Sequence, residues 1–230
     1  MVGQKVADNY LEPPVIPVVD IEVDPSLPAN VALGLPPEDE IDEEGYGFLR
    51  GVWDIGDVSH EEAVAMVKEE RHLSNLVDRA ALTHVDFEAI ANALESNDPD
   101  SLPAGFVAEH PESEIVELVG DGYTAEPLLG SLELGVAGLS YALTSIGCFT
   151  AASCRSHLSD QSWSPRPVVY FAAERLTVHW LTPLVRDTGC GFDDGSSHGR
   201  LLIVEAPSIT NFMDLASRIL RQVERQSPRR

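Results

Sequence analysis

Positive charge is what this chain has least of: 15 Lys and Arg stand against 38 Asp and Glu, for a formal net charge of −23. Generic binding to phosphate backbones needs clustered Lys and Arg, so nucleic acid is not an expected partner. Cysteine is scarce as well. Cys148, Cys154 and Cys190 are odd in number and make no disulfide framework, which suits a reducing compartment. No stretch approaches the roughly 18 consecutive apolar residues that span a bilayer, so no membrane association is expected. The opening Met-Val-Gly-Gln-Lys-Val-Ala-Asp has no basic region leading into an apolar core, and a cytoplasmic location is the expectation. Gly-x-Gly-x-x-Gly, Walker, His-Glu-x-x-His and Gly-x-Ser-x-Gly motifs are all absent, which removes the familiar nucleotide and hydrolase classes.

Acid is unevenly spread. Asp and Glu crowd the first half, while Arg218, Arg221, Arg225, Arg229 and Arg230 gather at the end. Such asymmetry keeps surfaces solvated or docks a basic partner. Residues 1–44 carry Pro13, Pro14, Pro17, Pro25, Pro28, Pro36 and Pro37 and end in the acidic run from Glu38 to Glu44. Prolines cannot donate to a ladder, so this segment reads as an extended acidic arm with at most one edge strand over 15–23, either a partly disordered leader or a strap around its own domain or a neighbour.

Beyond the arm, residues 45–125 read as a mainly helical subdomain and 126–230 as an α/β module. A short strand is expected over 48–55. Ser59 with Glu62 forms a capping box opening a helix to about Ala81, and Asp86 caps a second helix ending near Leu94. Residues 113–119 add a helical turn or two, and the apolar positions from Leu132 to Ile146 suggest a buried helix stopped by Gly147. Cys148–Thr150 is a candidate short strand. Val168–Ala173 and Leu201–Ala206, β-branched and aromatic, read as buried strands, the first of them central. A helix over 174–188 contains Pro183 and stops at Gly189; a final helix starts at Ser208 or Thr210. The fold class is α/β or α+β, a small sheet covered by helices, with strand direction open.

Chemistry concentrates in Thr150-Ala-Ala-Ser-Cys-Arg-Ser-His157, which places three hydroxyls, a thiol, a guanidinium and an imidazole at a strand exit. Arg155 can clamp an anion, Thr150 and Ser153 can line the site, and His157 and Cys154 are the candidate catalytic groups. The Gly- and Asp-rich loop from Cys190 to His198 is the second candidate. Asp193 and Asp194 there suit a ribose or a hard cation, or ordinary turn chemistry. Cys154, His157, Cys190 and His198 together form a loosely spaced zinc set.

The segment Phe149-Thr-Ala-Ala-Ser-Cys-Arg155 resembles the Thr-Thr-Ser-Ser-Cys-Ser-Gly-Arg segment of the tRNA wybutosine-synthesis methyltransferase family. The succession after it is similar: a turn with Trp163, a strand at Val168, a helix, a loop at Gly191-Phe192 and a strand at Leu201. Thr150, Ser153 and Cys154 match in place; Arg155 stands where the family has Ser, and Ser156-His157 replaces Gly-Arg. The resemblance implies an α/β fold, S-adenosylmethionine as cofactor and methyl transfer to a modified tRNA base. Two functions are therefore carried forward. One is a ligand-binding protein with an anion- or nucleotide-type small-molecule site at the 150–157 loop, with a methyltransferase-like enzyme as its catalytic form. The other is a noncatalytic acidic interaction subunit that docks a protein partner through its arm or its last helix.

Overall fold

A computed structural model describes residues 15–42, 45–50, 57–120, 127–158 and 162–226. Seven α-helices and two antiparallel sheets make up these residues, so the fold is α+β and the strand direction is settled as antiparallel. Three two-residue strands, β1 (Ile41–Asp42), β2 (Gly45–Tyr46) and β3 (Leu49–Arg50), form a small meander. The main sheet has four strands, β4 (Phe149–Cys154), β5 (Val168–Ala172), β6 (Gly191–Asp194) and β7 (Leu202–Glu205), in the order β4-β5-β7-β6. Both apolar runs read from the sequence, β5 and β7, sit in the middle, where burial on two faces favours β-branched and aromatic residues.

Helices cover one face of this sheet. α1 (His60–Ala80), α5 (Ala137–Thr144), α6 (Arg175–Asp187) and α7 (Ile209–Gln226) close over Val169, Phe171, Phe192, Leu202 and Val204 in the principal core. A second core joins α1 to α2 (His84–Ser96), α4 (Glu114–Gly120) and the Leu129–Leu134 turns, and reaches Ile209 and Met213 of α7. α1 thus packs across the expected boundary near residue 125. The α3 turn (Phe106–Glu109) buries Phe106 in the same cluster.

Local chemistry explains most helix ends. Ser59 accepts the Glu62 N–H at 3.2 Å and Glu62 accepts the Ser59 N–H at 2.8 Å, the reciprocal pair expected of a capping box. α2 is capped by Thr83, not Asp86: the Thr83 hydroxyl accepts the Asp86 N–H at 3.1 Å, while Asp86 lies inside the first turn and accepts from Leu82 and Thr83. Pro183 sits inside α6 on its exposed side, with His179 exposed one turn before it, and costs the helix one backbone hydrogen bond. Ser208 opens α7, its hydroxyl accepting the Thr210 N–H at 3.4 Å.

Three expectations are corrected. The helix expected from Leu132 begins only at Ala137, because Gly135 takes the left-handed φ of 95° and breaks the run. The expected loop after Thr150 is strand as far as Cys154, and the Gly- and Asp-rich loop contains the edge strand β6. Tertiary pairing with β5 and β7 supplies ladder bonds that local composition does not announce. The arm forms no strand over the described part of 15–23, yet it straps its own domain: Val19 N–H donates to Pro207 C=O at 2.8 Å, and Asp24 C=O accepts from Phe192 N–H at 2.7 Å. Gly191 permits that approach, since a Cβ there would lie 2.7 Å from Val23 Cβ. Of the strand expected over 48–55, Leu49–Arg50 is present and 51–56 lie outside the described residues, as do 1–14, Arg229 and Arg230.

One acid inside the helical layer shapes the start of α5. Glu70 of α1 is fully buried and its Oε1 accepts the N–H groups of Gly135 and Gly138, both at 3.0 Å. No side chain caps α5 locally, so Glu70 does it from a different helix. Gly138 makes room, a Cβ there falling 2.4 Å from Glu70 Oε2. Burial pushes the Glu70 carboxyl up to about 7, against the pull of the two glycine amides. An acid whose pKa is raised on folding contributes stability that is complete below its ordinary 4.5 and is lost as pH rises through about 7. Glu70→Gln keeps the acceptor and removes the ionisation. Urea midpoints of wild type should therefore fall more steeply between about pH 5 and about pH 8 than those of Glu70→Gln, by up to roughly 3 kcal/mol; parallel profiles would show that the buried carboxylate bears no such cost.

Candidate functional site

The end of β4 is where the polar residues converge. Strand alternation turns Arg155 toward the helical side and Cys154 toward the opposite face, where it packs with Val168 and Ile203. Ser156 then takes the left-handed φ of 70° and folds the chain back, so that His157 returns over the strand end. Its N–H donates to the Ser162 hydroxyl at 3.1 Å.

Arg155 is a buried cation whose partners come from α2. Its Nη1 donates to Glu95, its Nη2 donates to Asn92 Oδ1 at 2.6 Å and lies 3.1 Å from Glu88 Oε1. Glu88, Asn92 and Glu95 recur at helical spacing and so share one face of α2. The Arg155 side chain is 2% exposed. Burial works against its charge, but the surrounding carboxylates of Glu95 and Glu88 more than compensate and hold the guanidinium charged. The anion clamp expected of Arg155 is therefore corrected: its terminal nitrogens are committed to protein acceptors, and an incoming anion would have to displace two carboxylates.

His157 stands at the rim of this network, its side chain 20% exposed. Nδ1 meets Glu88 Oε1 at 2.5 Å and Nε2 meets Glu133 Oε1 at 3.0 Å. The other oxygen of Glu133 accepts the Arg155 N–H at 2.7 Å. Hydrogen bonding to Cys154, Glu133 and Glu88 pushes the imidazole up to about 11, so the ring is a cation held between two carboxylates. Burial raises the Glu88 and Glu133 carboxyls, but His157 and Arg155 pull both below their ordinary value. Glu95 goes the other way: burial raises it despite Arg155. Among the described residues, Glu133, Cys154 and His157 are the one group of three such side chains whose ligand atoms lie within 4.8 Å of each other.

The other expected residues lie elsewhere. Thr150 is on β4 and its hydroxyl pairs with Thr144 at 3.3 Å; Ser153 is further along the same strand. Asp193 and Asp194 are on β6, the opposite edge of the sheet from β4, three strand spacings or roughly 14 Å away. There Asp193 pairs with Arg166 at 3.3 Å, and Asp194 accepts the Ser196 N–H at 2.9 Å, which is turn chemistry and holds its carboxyl below the usual range. The zinc set of Cys154, His157, Cys190 and His198 is also corrected. Cys190 is buried in the helix-covered core, on the other face and other edge from Cys154, and His198 lies beyond the far end of β6 against Tyr170. An open cleft of about 550 Å³, lined by Tyr46, Gly47, Ser196 and Arg200, belongs to that far end and holds none of the strand-exit residues.

Glu88, Glu95 and Glu133 are the site residues missed in the sequence. The first two had a signal in their helical spacing with Asn92; Glu133, in a turn, had none. Comparison with protein-family models, curated proteins and solved structures returns no match to the chain.

Removing Arg155 leaves Glu95 buried without a counter-charge and Glu88 with His157 alone. Arg155→Met should lower stability by about 3 to 5 kcal/mol in urea denaturation. Arg155→Lys should recover little of that, because one ammonium cannot span Glu88, Asn92 and Glu95 as the planar guanidinium does. Full recovery by Lys would show that charge alone, not the fork, holds α2 to the strand end.

Proposed function

We propose that the chain is a small-molecule-binding protein whose site is the rim of the β4 exit, with His157 and Glu133 as the groups that meet the ligand. The observation that supports this is the imidazole of His157 held between two carboxylates from separate elements, at 2.5 Å and 3.0 Å, while still partly open to solvent. Three carboxylates, Glu88, Glu95 and Glu133, surround two cations, Arg155 and His157. That balance favours a ligand with a positive centre over the anion- or nucleotide-type ligand suggested by composition alone. Glu133 is the acceptor this assigns to the ligand's positive centre, with His157 orienting that carboxylate and Arg155 as a positioning residue that acts through Glu88.

The likeness to wybutosine-synthesis methyltransferases falls on Phe149–Arg155, and so supports the same place in the chain. It lends less to methyl transfer or to S-adenosylmethionine, since the residues after Cys154 depart from that pattern where the network is built. The docking alternative draws less support from the described arm, whose backbone is bonded to Pro207, Phe192 and, through Gly34, Ala173 of its own domain. α7 likewise spends its apolar face on the two cores.

Native mass spectrometry of the full chain should find a retained small adduct that is lost in His157→Asn and Glu133→Gln, both with melting temperatures near wild type. An adduct kept by both variants would place the ligand elsewhere and end this reading.

A further inference from the structure

The three ligand atoms at the rim are a mixed set: one carboxylate oxygen, one sulfur and one imidazole nitrogen, all within 4.8 Å of one another. Atoms bound to one tetrahedral ion lie roughly 3 to 4 Å apart, so small side-chain adjustments suffice to bring them onto a shared centre. They come from three places, the turn before α5, the end of β4 and the reversed chain after it, and each is held from behind. Glu133 is anchored through its second oxygen to the Arg155 N–H at 2.7 Å. Cys154 is fully buried, with its sulfur accepting the Ser156 N–H at 3.4 Å and 3.9 Å from the Ser162 hydroxyl. His157 has a carboxylate, Glu88, at Nδ1, which fixes the tautomer and leaves Nε2 facing Glu133. A carboxylate behind the distal nitrogen of a histidine is the usual support of a metal-bound imidazole.

We propose that Glu133, Cys154 and His157 bind one zinc-type divalent ion, with Glu88 as the carboxylate that orients the histidine. The proposal rests on the ligand-site reading of the same residues and names its positive centre. The donor set selects the metal class: a thiolate with an imidazole disfavours magnesium and calcium, which take oxygen ligands, and suits zinc. The ion takes the place of the proton on His157 Nε2, and the Cys154 thiol gives up its own proton on ligation, so binding releases protons to solvent. Three protein ligands leave a fourth position for water or a small molecule, on the side where Glu133 and His157 are still partly exposed. Arg155, through Glu88 and the Glu133 anchor, keeps two of these carboxylates in place whether or not the ion is bound.

Metal-free full-length protein titrated with zinc and, separately, with cobalt(II) tests this. Wild type should take up one ion per chain, and the cobalt form should show a thiolate-to-cobalt charge-transfer band together with the intense visible bands of tetrahedral coordination. Cys154→Ser should abolish the charge-transfer band, and Glu88→Gln, which touches no metal, should weaken zinc binding about 10- to 100-fold. Wild type that takes up no stoichiometric zinc overturns the proposal without recourse to any variant. So does a charge-transfer band that persists in Cys154→Ser, which would put the ion on Cys148 or Cys190. An organic cation retained by the metal-free wild type that binds no zinc sinks the metal and leaves the ligand-site reading standing.

Discussion

The contact of Arg155 with Glu88, Asn92 and Glu95 is the constraint around which the site is arranged. It joins the end of β4 to one face of α2, two elements separated by about sixty residues of chain. A buried guanidinium with several carboxylates is a poor source of net stability, since desolvation consumes most of the attraction. What it does supply is position. Once α2 is held there, Glu88 is within reach of His157 Nδ1, and the Arg155 amide holds Glu133 opposite Nε2.

The excess of acid takes on a different meaning inside the fold than on its surface. Glu70 satisfies the first amides of α5 where no local side chain does, and Glu95 accepts the Leu134 N–H at 2.7 Å as well as the guanidinium. Both carboxylates tie the 127–136 turns to α1 and α2, and those turns carry Glu133. The same residue type thus serves solubility where it is solvated and geometry where it is buried. Composition cannot separate the two, because both are written with the same letters.

Much of the scaffold was legible. The Ser59–Glu62 box, the apolar runs at Val168 and Leu202 and the amphipathic last helix each carry a local signal, and each forms where that signal lies. The edges were not. β6 is a Gly-Phe-Asp-Asp segment with no strand propensity to speak of, and it is a strand because β7 offers its free side. β4 runs through Ser153 and Cys154 for the same reason, with β5 as the partner.

At the site, the sequence by itself determined which reactive side chains sit close along the chain: Cys154, Arg155 and His157 follow one another, and any fold that ends a strand there keeps them together. Only the tertiary structure decided what each one faces. Alternation along β4 sends Arg155 and Cys154 to opposite sides, and the left-handed turn at Ser156 brings His157 back. The partners Glu88, Glu95 and Glu133 arrive from helices and turns far away in sequence. Local pattern reports periodicity and caps, which depend on neighbours a few residues apart. Charge pairing over twenty to seventy residues depends on how the helices pack, and no local pattern records that.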